Sequence, residues 1–226
     1  MPRPVRSEEI DAVYTARFPE DPRFHAWRAA LWRILVDDWF SRWIPTNASV
    51  LDFGCGNGEF LNAVHAARRI GVDLRASRAS SLDEGIEFIH SVDFRVPAIE
   101  TNSIDVVFCS NLLEHIPDRA AVTDFLLEVR RVLRPDGRLL VLGPNLRYTG
   151  PAYWDFFDHV LPFTHHTLVE ALATAGFEPE LLVPRFLPYT TAGGRRIPLF
   201  LVRAYLRLPF AWRWFGAQFF AVSRGS

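Results

Sequence analysis

Apolar and polar positions along the middle of the chain change period several times. "SVLDF" (49–53) is a short apolar run that stops at glycines, and "RIGVDL" (69–74) and "IEFIH" (86–90) are two more. "IDVVFCS" (104–110) is apolar enough to be buried on both faces, and "RLLVLG" (138–143) follows after the break at "RPDG". Runs of this length bounded by glycine and proline read as strands. Between them the spacing lengthens to that of a helix. "FLNAVHAA" (60–67) carries Leu61, Val64 and His65, and "AAVTDFLLEVRRVL" (120–133) sets Val122, Phe125, Leu126, Val129 and Leu133 on one stripe. Strands alternating with helices predict βαβ units around a parallel sheet covered on both faces. "FEPELLV" (177–183) and "QFFAVS" (218–223) add a sixth and a seventh strand.

Aromatic patterns mark the two ends. "FHAWRAALWRILVDDWFSRWI" (24–44) places Trp27, Leu31, Leu35, Trp39 and Trp43 at steps of four, which predicts an amphipathic helix. Near the other end, "GRRIPLFLVRAYLRLPFAWRWFG" (194–216) alternates Arg195, Arg196, Arg203, Arg207 and Arg213 with Leu, Phe and Trp. A basic amphipathic segment can lie on an anionic membrane surface, cap a site or form a dimer face. The expected organisation is one domain. Residues 1–46 form a helical cap, 47–183 and 217–226 the core, and 184–216 an insertion between the last two strands.

The chemistry begins at "VLDFGCGNGEF" (50–60). Ligands of parallel sheets sit at the carboxyl ends of the strands, where this loop stands. Glycines let the backbone turn and approach a ligand without a Cβ in the way. Asp73 closes the second strand, where a carboxylate can accept from both hydroxyls of a ribose. The ligand is therefore expected to contain a nucleoside. It is not expected to carry a pyrophosphate: Gly54, Gly56 and Gly58 read G-x-G-x-G, with Glu59 where the dinucleotide pattern has its last glycine. Asp52 and Glu59 bracket the loop with negative charge, which suits a cationic ligand.

Charge and cysteine content narrow the class. A formal net charge of -1 lacks the basic footprint of a nucleic-acid binder. Cys55 and Cys109 each end an apolar run and read as free thiols of a reducing, cytoplasmic compartment. "MPRPVRSEEIDAVY" has no apolar secretory core. No uncharged stretch is long enough to span a bilayer.

In order, "VLDFGCGNGEF", "IGVDL", "HSVDF", "IDVVFCSNLLEHI" and "LRPDGRLLVLGPN" resemble the successive motifs of class I S-adenosylmethionine-dependent methyltransferases. The resemblance covers roughly residues 48 to 145. It implies an α/β, Rossmann-like, seven-stranded and mostly parallel sheet with helices on both faces and an antiparallel last strand. It implies S-adenosyl-L-methionine as cofactor, leaving as S-adenosyl-L-homocysteine; a sulfonium and an ammonium without phosphate agree with the charge of the loop. By resemblance, Gly54, Gly56 and Gly58 pass under the methionine and ribose, and Asp52 holds the loop and the cationic end. Asp73 takes the ribose hydroxyls, with Leu74 beside the adenine. Asp93 accepts from the adenine amino group, with Phe94 next to it. Ser110, Asn111 and Leu112 face the reacting methyl.

A sulfonium methyl is already activated, so transfer needs chiefly an in-line nucleophile. A hydroxyl acceptor also needs a base, most often histidine. The segment 145–167 leaves the carboxyl edge of the sheet and holds His159 beside Asp158, which makes His159 the expected base. Tyr148, Tyr153, His165 and His166 are expected at the acceptor. Thr167 and Glu170 have the spacing of a capping box. "NLLEHI" resembles the E-x-x-E-H stretch of quinone-pathway O-methyltransferases, but Asn111 replaces its first glutamate. Glu114 and His115 alone make a poor hard-cation site, so no metal is expected. The expected reaction is methylation of a hydroxyl or amine on a small molecule, a sugar or glycolipid. A quinone or lipid-like phenol is the alternative, and a non-catalytic module that keeps the fold is the competing class. No nucleic-acid partner is expected: "SNLL" stands after the fourth strand in place of an N-P-P-[YF] motif.

Overall fold

The computed structural model describes residues 21–189 and 196–225. Residues 1–20 of the expected cap and Arg195 of the basic segment lie outside them.

Seven strands form one sheet: β1 (Ser49–Phe53), β2 (Arg68–Asp73), β3 (Glu87–His90), β4 (Ile104–Ser110), β5 (Leu133–Pro144), β6 (Phe177–Val183) and β7 (Gln218–Gly225). Their order is β3-β2-β1-β4-β5-β7-β6. β1 pairs in parallel with β2 and β4, while β7 runs antiparallel to both β5 and β6. The strand order therefore reverses between β1 and β4, the position where open sheets of this kind hold ligands. β5 begins five residues before the run read from the sequence. Ile104 pairs with Leu133, Val106 with Arg138, and the intervening "RPDG" bulges out of the ladder.

Alternation along the strands divides the core into two layers. Val107 and Cys109 of β4 join Leu51, Phe53, Val141 and Phe219 on one face. Helices α3 (Arg119–Val132) and α5 (His165–Thr174) cover that face with Val122, Phe125, Leu126, Leu168 and Leu172. Val106 and Phe108 join Val50, Leu140, Leu142 and Phe220 on the other. That face is covered by α1 (Pro22–Asp38), α2 (Glu59–Ala63), α6 (Leu199–Leu206) and α7 (Pro209–Phe215). A short α4 (Leu146–Thr149) follows β5.

α1 starts two residues before the run read from the sequence, on a local cap: the Asp21 side chain accepts from Arg23 N, and Pro22 takes the first helical position. Its Ile34, Leu35 and Val36 are buried. The Trp32 ring meets Phe108 edge-on at 6.1 Å, and Trp39 lies 4.9 Å from Phe186. Its last turns therefore pack on the domain. α2 is shorter than its pattern predicts, because Val64 leaves the helix at φ -76°, ψ 137° to bring the chain back to β2. Asn62 fixes that end, donating to Ser81 O at 3.0 Å and accepting from Asp83 N at 3.0 Å. The cap of α5 lies one turn earlier than expected. Thr164, paired with Thr167, forms the capping box, and His165 opens the helix.

Candidate active site

The glycine loop after β1 is held by the end of β2. Gly54 N and Cys55 N both donate to Val72 O, at 2.8 and 3.1 Å, and Gly58 N donates to Cys55 O at 2.8 Å. Gly54, Gly56 and Gly58 have φ of 72°, 55° and 74°, a left-handed backbone that favours glycine at all three. The surroundings differ. A Cβ on Gly58 would stand 2.4 Å from Leu82 Cδ2, and one on Gly54 would stand 3.0 Å from Leu112 Cδ1. A Cβ on Gly56 would meet only Gly54 O, at 4.0 Å. Gly54 and Gly58 thus pack against protein, while Gly56 faces the open side of the loop. The Leu112 contact joins this loop to the turn after β4.

Carboxylates surround the loop. Asp52 is 3% exposed, and burial pushes its carboxyl well above the ordinary range, with Asp73 and Glu59 adding to the rise. A cation in the loop would oppose that rise, so the charge arrangement favours a positively charged ligand. Asp73 is also buried. Its Oδ2 accepts from Gly56 N at 2.9 Å, and its Oδ1 accepts from Arg75 N at 2.9 Å and Arg75 Nε at 3.3 Å. Asp73 therefore orients the glycine loop besides offering itself to a ligand. Arg75 was not singled out in the sequence; its position two residues after the acidic strand end is the only signal for it. Two further partners were missed. Arg78 donates to Asn57 Oδ1 at 2.6 Å, and Arg28 of α1 pairs with Glu59 at 3.1 Å.

The remaining residues expected at the cofactor fall around this loop to different degrees. Leu74 is half-buried beyond β2, and its carbonyl meets His90 Nε2 at 3.0 Å. Asp93 is exposed, and its Oδ1 caps a turn by accepting from Arg95 N at 3.1 Å. Phe94, at φ 61°, turns its ring onto Phe125 at 5.6 Å and packs on the core. Asn111, also left-handed at φ 50°, donates to Ser110 Oγ at 3.0 Å.

A second cluster lies just past Leu112. Glu114 is buried, and burial raises its carboxyl above the usual range. Its carbonyl accepts from Val160 N and Leu161 N, at 2.9 and 3.2 Å, which fastens the 145–167 segment to the end of β4. His115 Nδ1 lies 3.0 Å from Asp158 O and 3.3 Å from Asp158 Oδ2. The His159 ring is 8% exposed and stands 4.9 Å from the His115 ring and 4.8 Å from the Tyr153 ring. One ligand atom each from Glu114, His115 and His159 lies within 4.8 Å of the others. The pair that looked too small for a metal in the sequence thus gains His159 as a third donor.

Tyr153 plays a different part from the acceptor contact expected of it. Its ring is fully buried, its hydroxyl donates to Leu161 O and accepts from Phe163 N, and burial raises its pKa above the ordinary phenol range. It staples the segment on which His159 rides. His165 is buried too. Its Nδ1 sits 3.0 Å from Asn145 Nδ2, which also donates to Pro184 O at 2.8 Å. Burial, helped by His166 and Arg147, lowers the His165 pKa, and facing an amide nitrogen its Nδ1 accepts. Tyr148 stacks on His165 at 6.0 Å and carries the Arg185 guanidinium at 4.6 Å from its ring. His166 is exposed. Trp154, Phe157 and Val160, on the same segment as His159, are exposed apolar side chains.

Comparison with known proteins adds a family and a fold. Residues 23–182 match the model of a methyltransferase domain. The chain is 35% identical over 122 residues to a ubiquinone biosynthesis O-methyltransferase of Xylella fastidiosa (strain 9a5c), covering 48% of this chain and 47% of that one. A Xanthomonas axonopodis pv. citri protein of the same name is 32% identical over 114 residues, 45% of either chain. The chain thus spans about half the length of the curated relatives it matches. Among solved structures, a SAM-dependent methyltransferase from Archaeoglobus fulgidus superposes with a TM-score of 0.67 at 17% identity, over 95% of this chain and 99% of that one. The geranyl diphosphate C-methyltransferase of Streptomyces coelicolor A3(2), solved with Mg2+, geranyl diphosphate and S-adenosyl-L-homocysteine, reaches 0.59 at 16% identity, over 99% and 86%.

Proposed function

Because the chain belongs to the methyltransferase-domain family, we propose that it methylates a hydroxyl group on an acceptor with an apolar body, using S-adenosylmethionine. When bound, that cofactor supplies a methyl group already activated on a sulfonium. The residues present fit it. Gly56 offers an open left-handed cradle, and the carboxyl groups of Asp52, Glu59 and Asp73 gather where a sulfonium and an ammonium would sit, a cation there favouring their charged forms. Asp73 would take the ribose and hold the loop through Gly56 N, with Leu74 and Asp93 toward the adenine.

The observation that carries the hydroxyl reading is the cluster of His115, Asp158 and His159 just past Leu112, the residue that touches the glycine loop. An amine acceptor needs no such group; a hydroxyl does, because its proton must leave as the methyl arrives. His159 takes that proton. The Glu114 carbonyl, which accepts from Val160 N and Leu161 N, and Tyr153, whose hydroxyl is tied to Leu161 and Phe163, hold the segment that carries the ring. Exposed Trp154, Phe157 and Val160 on the same segment favour an acceptor with a hydrophobic part. A lipid-like phenol meets both conditions, and the names of the curated relatives support it. A sugar hydroxyl on a glycolipid is the second reading, favoured by the polar groups of Tyr148 and His166 on this edge. Two buried free thiols, Cys55 and Cys109, support a reducing, cytoplasmic setting.

The test is methyl transfer from labelled cofactor to four panels: phenol-bearing lipids, glycolipids, free sugars and amines. Turnover on the first alone supports the phenol, and turnover on the second alone the glycolipid. Turnover confined to free sugars or amines overturns the reading.

A further inference from the structure

We propose that the α6–α7 unit is a docking surface for an anionic lipid bilayer. One side of the unit is built into the protein. Arg196 pairs with Asp21, and Trp27 Nε1 of α1 donates to Ile197 O at 3.0 Å. Tyr205 OH donates to Phe186 O at 2.6 Å, and Trp212 Nε1 donates to Tyr205 O at 2.8 Å. Leu206 and Trp212 are buried, and the Trp212 ring meets Trp39 at 5.0 Å and Phe186 at 5.2 Å. These contacts fix which way each short helix faces.

The other side is apolar, aromatic and basic. Phe200 and Arg203 of α6 and Arg207, which caps its end, are all exposed and follow one another at steps of three and four. On α7, Phe210, Arg213 and Trp214 are exposed and share one face at steps of three and four, opposite the buried Trp212. Phe200 is 70%, Phe210 65%, Trp214 78% and Phe215 67% exposed. Scattered apolar residues need no explanation, but four large ones together on one short unit do. Arg203 has only a loose partner, Asp38 at 3.8 Å, and Arg207 and Arg213 make no ion pair among the described residues.

Charge identifies the occupant. From Leu181 to Ser226 the sequence has arginines but no aspartate or glutamate. A second copy of this face would bring like charges together. An anionic surface neutralises them, and aromatic rings with arginines are what the boundary between headgroups and acyl chains accommodates. No helix among the described residues is long and apolar enough to cross a membrane, so the unit would lie in the interface plane. This inference rests on the surface alone and is independent of the acceptor.

The experiment is cosedimentation of the full chain with vesicles of phosphatidylcholine alone or mixed equally with phosphatidylglycerol, at low and high salt. Binding is expected to the mixed vesicles and to weaken as salt screens it. Arg207→Glu with Arg213→Glu should lower partitioning by at least about tenfold, from the usual worth of a basic residue near an anionic surface. Phe210→Ser with Trp214→Ser should lower it at both salt concentrations. Unchanged S-adenosylmethionine affinity shows that the variants fold. Absence of binding to mixed vesicles at low salt overturns the proposal. So does binding that both variants leave unchanged, or a dimer in solution that the Phe210/Trp214 variant dissolves in a chain that ignores vesicles.

Discussion

Replacing Asp73 tests the cofactor site most directly. Its carboxylate has about four lone-pair positions. Three protein donors use them: Gly56 N, Arg75 N and Arg75 Nε. The Arg75 Nε contact is the longest, at 3.3 Å, so it is the one to yield when two ribose hydroxyls arrive. A hydrogen bond to a charged acceptor is worth about 1.5–3 kcal/mol, and tenfold in affinity is about 1.4 kcal/mol. Losing both ribose bonds in Asp73→Ala should weaken binding by about 10²–10⁴-fold, and the looser glycine loop adds to the loss. Asp73→Asn keeps shape and one acceptor oxygen, so it should lose less than the alanine variant. Both variants should also melt earlier, because the Asp73–Arg75 pair is only 6% and 5% exposed and breaking a buried pair is costly. The assay is isothermal titration with S-adenosylmethionine at a temperature where circular dichroism shows the variant folded. A folded Asp73→Ala chain that binds within about twofold of wild type, under 0.5 kcal/mol, would remove Asp73 from the site.

The glycines should separate by environment. Gly56→Ala meets no protein atom closer than 4.0 Å, so it should cost only the left-handed strain of about 1–2 kcal/mol in stability while cutting cofactor affinity. Gly58→Ala collides with Leu82 Cδ2 at 2.4 Å and should lower the melting temperature further; equal losses in the two variants would contradict this division. His159→Ala should reduce turnover on a hydroxyl acceptor by about 10²–10⁴-fold with cofactor affinity nearly unchanged, and a loss below tenfold would move the base to His115. His165 gives a pH signature: its folded pKa is lowered, so its stabilising effect is complete above the unfolded pKa of about 6.5 and is lost as pH falls from there toward the folded value. Chemical denaturation of wild type and His165→Gln across that range should show a shallower loss in the variant, and parallel curves would exclude His165 as the source.

What could be read from the sequence was what short-range pattern dictates. β1, β4 and β6 begin and end where their apolar runs do. Glycines at 54, 56 and 58 announce positive φ because other residues avoid that conformation. The misses are tertiary. α2 stops at Ala63 because Asn62 is tied to the chain around Ser81, which no local spacing reveals. Tyr153 was expected at the acceptor because it puts a polar tip on a segment leaving the carboxyl edge of the sheet; in the fold its hydroxyl is engaged by Phe163 N and Leu161 O. His115 looked like half of an incomplete metal site until the fold brought His159, 44 positions away in the chain, to within 4.9 Å.

The same long-range contacts link the two ends of the chain to the site. Arg28 of α1 neutralises Glu59 at the mouth of the glycine loop, at 3.1 Å, and so sets how much negative charge the loop offers a cation. One turn earlier, Phe24 stacks on Trp27, whose Nε1 donates to Ile197 at the start of the C-terminal helices. Further along, Asp38 faces Arg203 of α6. α1 thus reaches the residue after the glycine loop through Arg28 and the α6–α7 unit through Trp27 and Asp38. Moving Arg28 away from Glu59 would leave that carboxylate uncompensated beside Asp52, whose pKa Glu59 already raises. The Arg28–Glu59 pair thus ties the charge at the glycine loop to α1, the same helix that packs on the α6–α7 unit.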